Sequence, residues 1–600
     1  MMDVIQELEH LKKLAVDPNK RFDKLYRLLR QPALLALARE RIAGNAGAQT
    51  PGVDRQTLAN ITNTEIIRLS EELASAKYQP QPVRRVYIPK KNGKLRPLGI
   101  PCSRDKVVQA GVALILVSLY EPIFRNCSHG FRPGRSTFTA LRQMSNAYRA
   151  GAKWIIEGDI TDCFGSIPHG TILDCLRKRI CDERFIDLIR KMLQAGVMEA
   201  GRFAPSYSGT PQGGIASPIL ANVVLHEFDV WLEDEMGCNP PAQTSQEQNA
   251  RKNPEYQHLS ERISNIRGYL DGKRPIPKRT TPEKLRQELR EKLQKRKWLL
   301  CMLPRKVTFY SRYADDFAIV MCDSSEKEAQ ELKAVISEWM KAKLGLNLNQ
   351  EKTHITHWQE TVRFLGYELA GRVNQNGSGW LFLSIPREAQ RKMIDRIEQA
   401  TRYSQAPEYD VFYNVNTVIR GWANYYRYAH NFSTVSGRLI QIIFWKTAHY
   451  LGKRHRCSIN KMMRTHYDRD PSTGCKALFI YKPGQTTQPE NRYFIWHKRP
   501  KRLSFSAAAT EMQDELPAVR QGWATGRSQH KKMETRQKAE MRCEGCGKTG
   551  VTLYVHHPNR LVKAKRVKQG AAHVAQSGIE QQTKLLCHDC HVAAHHPASS

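Results

Sequence analysis

The sequence lacks an apolar run long enough to cross a membrane. Its most apolar stretch, residues 107–120, falls short of the roughly 20 residues that a bilayer requires and predicts a buried helix. The N-terminus carries an acidic residue at Asp3 and has neither a secretory hydrophobic segment nor a transit-peptide pattern. These absences exclude membrane-embedded and secreted classes, and they favour a cytoplasmic protein of bacterial origin.

Acidic residues are scarce relative to basic ones. The chain has 58 Asp and Glu against 94 Lys and Arg, which gives a formal net charge of +36. Such an excess repels itself in a compact fold unless a polyanion offsets it. Nucleic acid is therefore the expected partner, bound in a salt-sensitive way because counterions are released. A merely soluble basic surface is the alternative.

Paired cysteines are absent from most of the chain, although it contains 14 cysteines in all. Those such as Cys102 and Cys127 occur singly in apolar or mixed segments, which is typical of thiols in a reducing compartment. Two Cys-x-x-Cys pairs occur in the last 60 residues. Their spacing predicts a structural Zn²⁺ site with four thiolate ligands: Cys543, Cys546, Cys587 and Cys590.

Strand and turn patterns point to a mixed α+β organisation. Residues 83–88 alternate as in a strand, Asn92-Gly93 supplies a turn, and Leu95 begins the return strand. A polar segment, about residues 239–306, interrupts the strand-and-helix pattern of the middle of the chain. Residues 386–470 are helical and rich in aromatic side chains. At 600 residues, the chain is long enough for several domains.

Two adjacent carboxylates lie at the tip of a predicted hairpin, residues 308–320. Asp315 and Asp316 stand between two apolar strands, and a divalent cation would offset their repulsion. Nucleotidyl transfer needs two Mg²⁺ ions and a third carboxylate, for which Asp159 at the end of an apolar strand is the candidate. A solvated turn is the alternative for any isolated Asp-Asp pair.

Seven ordered blocks resemble the reverse transcriptases of group II introns, also called maturases. The blocks are Arg96–Pro101, Ser128–Ser136, Asp159–Phe164, Gly209–Gly214 with Ser217-Pro218, Tyr313–Asp316, Leu346–Thr353 and Phe364–Tyr367. The resemblance implies a right-hand polymerase whose fingers and palm contain an antiparallel sheet, followed by an α-helical thumb.

The resemblance also implies roles for individual residues. Asp159, Asp315 and Asp316 would hold the two Mg²⁺ ions. Phe164 would pack under the sugar and exclude a 2′-hydroxyl, although it could also be a core aromatic. The residues expected to contact the nucleotide are Lys90, Arg96, Phe164, Gln212 and Lys352. Arg84 is a weaker candidate of the same kind, and Asp162 is assigned no role.

A second motif, Arg420-Gly-Trp422-Ala-Asn-Tyr425-Tyr-Arg427, resembles domain X, the helical thumb of this family. Arginines interleaved with aromatic rings offer cations to phosphates and planes to bases. The resemblance implies that Arg420, Trp422, Tyr425 and Arg427 bind the intron RNA, which carries out splicing itself. In the alternative, both aromatic residues belong to the core and only the arginines face outward.

The cysteine-rich C-terminus resembles the HNH nucleases, which have a ββα fold and bind one divalent metal, here expected to be Mg²⁺. On that template His557 is the general base and His556 a metal ligand, with a further ligand from His591 or His595. No Asn stands at the central position, where Thr583 falls in the matching stretch. A zinc ribbon that only binds DNA is the alternative.

The combination predicts a protein that copies RNA into DNA, assists intron splicing and nicks a DNA target to prime the copying. Its expected partners are group II intron RNA, a DNA target site and dNTPs, with nucleoid association when it acts on DNA. A splicing cofactor with a relic polymerase site, and a reverse transcriptase of a retron or diversity-generating element, are the alternatives.

The predicted boundaries are 1–80 for an N-terminal extension, 81–385 for fingers and palm with the insertion at about 239–306, 386–480 for the thumb, 481–540 for a basic DNA-binding linker and 541–600 for the nuclease.

Overall fold

A computed structural model describes residues 2–504 with gaps, together with the backbone of residues 553–556 and 584–587. The gaps are residues 90–92, 94, 200, 211–212, 242–251, 279, 298–305, 374–378, 403–405, 486 and 498–501. Eight residues with predicted roles lie outside the described residues: Lys90, Gln212, Cys543, Cys546, His557, Cys590, His591 and His595.

The N-terminal extension is a layer of helices that packs on the rest of the fingers. Its elements are α1 (Met2–Leu14), α2 (Leu25–Leu29), α3 (Pro32–Ala43), 3-10 turns at Ala46–Gln49 and Leu58–Asn60, and α4 (Asn63–Ala74). The buried ammonium of Lys106 donates hydrogen bonds to the carbonyls of Gly47 (3.0 Å) and Thr50 (2.5 Å). This buried amine fastens the loop of the extension to the following helix.

The fingers and the first part of the palm follow. Their elements are β1 (Val83–Pro89), β2 (Leu95–Ile100), α5 (Ser103–Tyr120), α6 (Thr137–Arg149), β3 (Ala152–Asp159), α7 (Cys163–Ser166), α8 (His169–Arg177), α9 (Glu183–Gln194), β4 (Val197–Glu199), β5 (Arg202–Ala204) and α10 (Ser217–Val230), which continues as a π-turn at Trp231–Glu235. Strands β1 and β2 pair antiparallel from Arg84 opposite Ile100 to Pro89 opposite Leu95, which confirms the predicted hairpin. The fingers sheet has the order β2-β1-β4-β5.

The described part of the polar insertion contains two helices, α11 (Pro254–Leu270) and α12 (Pro282–Lys297). They pack against each other, and the guanidinium of Arg262 donates two hydrogen bonds to the carboxylate of Glu288.

The remaining palm elements are β6 (Val307–Tyr313), β7 (Asp316–Cys322), α13 (Glu326–Trp339) with a π-turn at Met340–Leu344, β8 (His354–His357), β9 (Val362–Phe364), β10 (Tyr367–Val373) and β11 (Gly379–Ser384). The palm sheet is antiparallel throughout and has the order β6-β7-β3-β8. Phe317 and Ile319 face the core shared with α5 and α10, whereas Ala318 and Val320 face the core shared with the thumb. Because side chains alternate along a strand, Asp316 belongs to the thumb-facing side.

The thumb contains α14 (Arg387–Arg402), α15 (Glu408–Tyr426), α16 (Phe432–Arg454) and α17 (Ile459–His466), followed by β12 (Tyr467–Arg469), β13 (Lys476–Tyr481), a 3-10 turn at Pro489–Asn491 and β14 (Arg492–Phe494). The side chain of Asn416 on α15 bonds to the carbonyl of Phe494 (2.9 Å) and accepts from the backbone of Trp496 (2.7 Å). The region predicted to be a linker, 481–540, therefore begins with a strand that is packed on the thumb.

Near the C-terminus, β15 (Leu553–His556) and β16 (Lys584–Cys587) pair antiparallel, with Leu553 opposite Cys587 and His556 opposite Lys584. His556, a predicted metal ligand of the nuclease, is the last residue of β15. Among the described residues, no helix is long and apolar enough to cross a membrane.

Candidate active site

The three predicted metal-binding carboxylates lie on adjacent strands of the palm sheet. Asp159, the last residue of β3, stands directly opposite Asp316, the first residue of β7, and Asp315 lies in the turn just before it. Ala314 takes a φ of 59°, the left-handed conformation that makes this turn tight. The structure thus brings together residues more than 150 positions apart in the sequence.

Nearby positive side chains offset the negative charge of the three carboxylates only in part. Desolvation, followed by the negative charges of Asp315 and Asp159, raises the pKa of Asp316 to about 6. Desolvation is also the main reason that the pKa of Asp315 is raised. Carboxylate oxygens are the ligands that Mg²⁺ prefers, and a cation would relieve this repulsion. The donor set therefore fits Mg²⁺, although no closed cluster of three or more such ligands is present among the described residues.

Lys352 occupies one side of Asp159 in this conformation. Its ammonium donates to Oδ2 of Asp159 at 2.8 Å, and the side-chain amide of Asn349 donates to the same oxygen at 3.2 Å. This bond raises the pKa of Lys352, so the side chain is positively charged beside the acids. Lys352 therefore lies beside the predicted metal ligands, and its contact with the nucleotide stays a prediction.

Phe164 lies on the short helix α7, five residues beyond Asp159. Its carbonyl accepts a hydrogen bond from the backbone N–H of Thr210 at 2.6 Å. Gly209 has a φ of 79° and lies very close to Gly165. A Cβ added to Gly209 would lie only 2.5 Å from the carbonyl oxygen of Gly165. The Gly209–Thr210 loop is therefore fastened directly to the segment that carries Phe164.

Two arginines of the fingers hairpin have different environments. Arg96 on β2 is placed so that its charge lowers the pKa of Asp315, against the stronger effect of desolvation. Arg84 instead donates two hydrogen bonds, 3.1 and 2.8 Å long, to the carbonyl of Pro51 in the N-terminal extension. Gly213 has a φ of 109° and packs against the carbonyl of Gly99, which joins its loop to β2.

A buried ion pair beneath the turn was not expected from the sequence. Arg312 and Asp229, both with 0% of the side chain exposed, pair through two hydrogen bonds of 2.8 and 2.5 Å. Arg312 also donates to Oδ1 of Asn222 (3.0 Å), to Oγ of Ser128 (2.8 Å) and to the carbonyl of Ala314 (3.0 Å). All five N–H groups of the guanidinium are therefore used, and one of them bonds to the carbonyl of Ala314 in the turn that carries Asp315.

The sequence did contain a signal for this pair. Asn222 and Asp229 are two buried polar residues, seven positions apart, in the mostly apolar helix α10. That spacing places them on one face of the helix, where buried polar groups need partners. The partner itself could not be inferred, because Arg312 is 83 residues from Asp229 in the sequence.

The predicted RNA-binding residues of the thumb fall into two groups. Arg420 is exposed on α15, with its guanidinium 6.0 Å from the centre of the Trp496 ring. Tyr425 instead packs on the palm and donates from its hydroxyl to the carbonyl of Leu365 at 2.7 Å. Trp422 is half-buried among core residues, and Arg427, also half-buried, accepts at its carbonyl from the backbone of Leu503 (2.9 Å). RNA contact by these four residues stays a prediction.

Comparison with known proteins agrees with the geometry. The family model for reverse transcriptase (RNA-dependent DNA polymerase) matches residues 88–246 and 283–369, and the model for the group II intron maturase-specific domain matches residues 390–467. Both matches contain the motifs discussed above.

Full-length relatives are similar along most of the chain. Group II intron-encoded protein LtrA of Lactococcus lactis is 32% identical over 608 aligned positions, which cover 95% of each chain. Protein YkfC of Escherichia coli is 33% identical over 63% of this chain and 91% of its own length. A telomerase structure from Candida albicans aligns with a TM-score of 0.32 and 11% identity, over 62% of this chain and 59% of that one.

The catalytic-site geometry, the two family models and the near full-length similarity to LtrA lead to one conclusion. The chain belongs to the group II intron-encoded proteins, and it combines an RNA-directed DNA polymerase with an intron maturase.

Proposed function

We propose that DNA synthesis takes place at the tip of the β6–β7 hairpin by a two-metal mechanism. The observation that carries this is the register that sets Asp159 opposite Asp316, with Asp315 in the adjoining turn. These carboxylates would hold two Mg²⁺ ions, which activate a primer 3′-hydroxyl and neutralise the triphosphate. Arg312 donates a hydrogen bond to the carbonyl of Ala314 in this turn. This buried side chain would therefore hold the carboxylates in position for the metal ions.

Nucleotide binding is proposed for the residues around this cluster. The positive charges of Arg96 and Lys352 flank the carboxylates and suit the phosphates of a dNTP. Phe164, on α7 five residues after Asp159, would pack against the sugar. Lys90 and Gln212 complete this set on the strength of the sequence motifs alone.

Maturase activity is proposed to use the exposed basic face of the thumb. Arg420 is exposed there, whereas the hydroxyl of Tyr425 is engaged with the palm. Arginine side chains that face solvent can pair with the phosphates of intron RNA. The maturase would then stabilise the folded RNA, which carries out the splicing chemistry.

A DNA-nicking activity is proposed for residues 541–600. Four cysteines in two Cys-x-x-Cys pairs would supply a Zn²⁺ site, and two adjacent histidines would supply a metal ligand, His556, at the end of β15, and a general base, His557. In the antiparallel pairing of β15 with β16, Cys587 lies opposite Leu553, at the other end of the two strands from His556. Nicking of a DNA target would provide the primer for reverse transcription, which is the basis of retrohoming.

The nuclease proposal is tested with His557→Ala in the full chain. We expect loss of target-strand nicking, measured on an end-labelled DNA duplex that contains the intron insertion site. The zinc content and the poly(rA)-directed DNA synthesis should be unchanged. His573→Ala, which removes a histidine elsewhere in the same region, should leave nicking intact. Retained nicking in His557→Ala would show that this residue is not the base, and a zinc ribbon without nuclease activity would show no nicking in any variant.

A further inference from the structure

Phe131 combines an unfavourable backbone conformation with an exposed aromatic side chain. Its φ is 57°, a left-handed conformation that bulky residues rarely adopt. Its ring is also 52% exposed, so burial of apolar surface does not compensate for the conformation. Strained residues of this kind persist where the surrounding structure holds them, and they cluster at functional sites.

The residues on either side of Phe131 are held firmly. Gly130 lies against the backbone of Ala314 so closely that a Cβ would overlap it, and its carbonyl accepts from Asn222 at 2.9 Å. On the other side, the buried guanidinium of Arg132 donates to Glu121 (2.9 and 3.1 Å) and to the carbonyl of Ser128 (2.8 Å). The segment is therefore fixed to the metal-binding turn, and the ring of Phe131 is directed outward.

The ring meets Phe164, the residue proposed to pack against the sugar. The two ring centres are 6.1 Å apart with the planes at 86°, an edge-to-face geometry that aromatic pairs favour. Phe164 is held through its carbonyl by Thr210, but its side chain is only half-buried. Phe131 therefore supports the side chain of Phe164 through this ring contact.

We propose that Phe131 is a specificity-determining residue, which keeps the ring of Phe164 in place and so strengthens discrimination between deoxyribose and ribose. The proposal rests on the proposed role of Phe164 at the sugar. Its physical basis is steric: a 2′-hydroxyl is excluded only if the ring beneath the sugar cannot move aside. Removing Phe131 would leave the edge of Phe164 unsupported and let it yield to a ribonucleotide.

The test is the ratio of kcat/KM for dTTP to that for UTP, measured by primer extension on poly(rA) with an oligo(dT) primer. We expect Phe131→Ala to lower this ratio about tenfold, mainly because kcat/KM for UTP rises. Phe164→Ala should lower the ratio further. The double variant should equal Phe164→Ala alone, because Phe131 acts through Phe164.

Two further variants keep this test decisive. Phe203→Ala removes a phenylalanine of the fingers with a similar exposure, 57%, and should leave the ratio unchanged. Phe131→Gly removes the ring while relieving the positive φ, so it serves if the alanine variant does not fold. An unchanged ratio in Phe131→Gly, alongside a lowered ratio in Phe164→Ala, overturns the proposal and leaves the role of Phe164 intact.

Other outcomes separate the two claims. An unchanged ratio in Phe164→Ala removes the proposed sugar contact, and with it this inference. Additive effects in the double variant contradict an action through Phe164. A raised KM for the template-primer with an unchanged ratio assigns Phe131 to template binding instead and overturns the proposal.

Discussion

At the scale of single residues, the turn that carries Asp315 is held by one buried side chain, that of Arg312. Arg312 reaches the helix α10, the Ser128 loop and the carbonyl of Ala314 at once. Lysine would keep the charge opposite Asp229 but has three donors and no planar fork. The lysine variant would lose the hydrogen bond to the carbonyl of Ala314, whereas the carboxylate of Asp229 would still have a cation beside it.

Arg312→Lys is therefore expected to lower kcat for DNA synthesis at least tenfold and to raise the Mg²⁺ concentration needed for half-maximal rate, because misplaced ligands cost transition-state positioning. Steady-state primer extension at several Mg²⁺ concentrations measures both. Arg179→Lys is the matched control, since that buried guanidinium donates to the carbonyls of Leu119, Ala15 and Asp17. A wild-type kcat and Mg²⁺ dependence in Arg312→Lys would refute the role.

His129, beside the same turn, links stability to pH. Its ring nitrogens each lie 2.8 Å from a side-chain oxygen, of Thr139 and of Gln143, and burial lowers its pKa to about 4. The unfolded chain, with a pKa near 6.5, binds the proton more readily between pH 4 and 6.5. The contribution of His129 to stability is therefore present above about pH 6.5 and is lost as the pH falls towards 4.

The expected result is that His129→Gln destabilises the protein more at pH 7 than at pH 4.5, by about 2 kcal/mol. Denaturant unfolding of both proteins at the two pH values gives this difference. His10→Gln, at an exposed position of α1, should show no such dependence. Equal destabilisation by His129→Gln at both values would mean that His129 is not kept neutral by the fold.

At the scale of elements, the thumb is joined to the palm through tyrosines. The hydroxyl of Tyr425 on α15 donates to the carbonyl of Leu365, and that of Tyr426 donates to the carbonyl of Gly366 at 3.3 Å. Both carbonyls belong to the turn between β9 and β10, where Leu365 and Gly366 have positive φ. These contacts connect the position of the thumb to that of the palm turn.

Tyr425→Phe is accordingly expected to reduce the free energy of unfolding by about 1 kcal/mol, as for loss of one hydrogen bond, with intron RNA affinity within twofold of wild type. Arg420→Ala should do the reverse: it should weaken RNA binding severalfold and leave stability nearly unchanged. Thermal unfolding and filter binding of the intron RNA compare the two. A larger loss of RNA affinity in Tyr425→Phe than in Arg420→Ala would restore Tyr425 as an RNA contact.

Elements with strong local patterns were predictable from the sequence. The β1–β2 hairpin and the β6–β7 hairpin follow from alternation around a turn, which is a property of neighbouring residues. Strand β14 was not foreseen, because three residues carry little pattern and it forms against β13 and α15. The fingers strands β4 and β5 are equally short.

Within the site, the sequence motifs identified the acids but not what supports them. Asp159 and Asp316 could be paired because both end or begin apolar strands. The Arg312–Asp229 pair and the contact of Phe131 with Phe164 depend on how separate segments pack, which no local pattern specifies. The positive φ of Phe131 has no signature in a sequence.

At the scale of the whole molecule, a large positive charge is combined with a compact acidic centre. The net charge of +36 suits binding to RNA and DNA, while Asp159, Asp315 and Asp316 concentrate negative charge where cations are needed. The palm and the thumb of this chain share one hydrophobic core, which lies along the palm sheet. Copying and RNA binding are nevertheless expected to be separable, since different residues serve each.

That separation can be measured with Asp315→Ala. We expect this variant to give no Mg²⁺-dependent DNA product on poly(rA) with an oligo(dT) primer, because the metal ligands are incomplete, while it binds and splices the intron RNA like wild type. Asp395→Ala, which removes an exposed carboxylate from α14, should retain both activities. DNA synthesis by Asp315→Ala at the wild-type rate would contradict the placement of the polymerase centre at this turn.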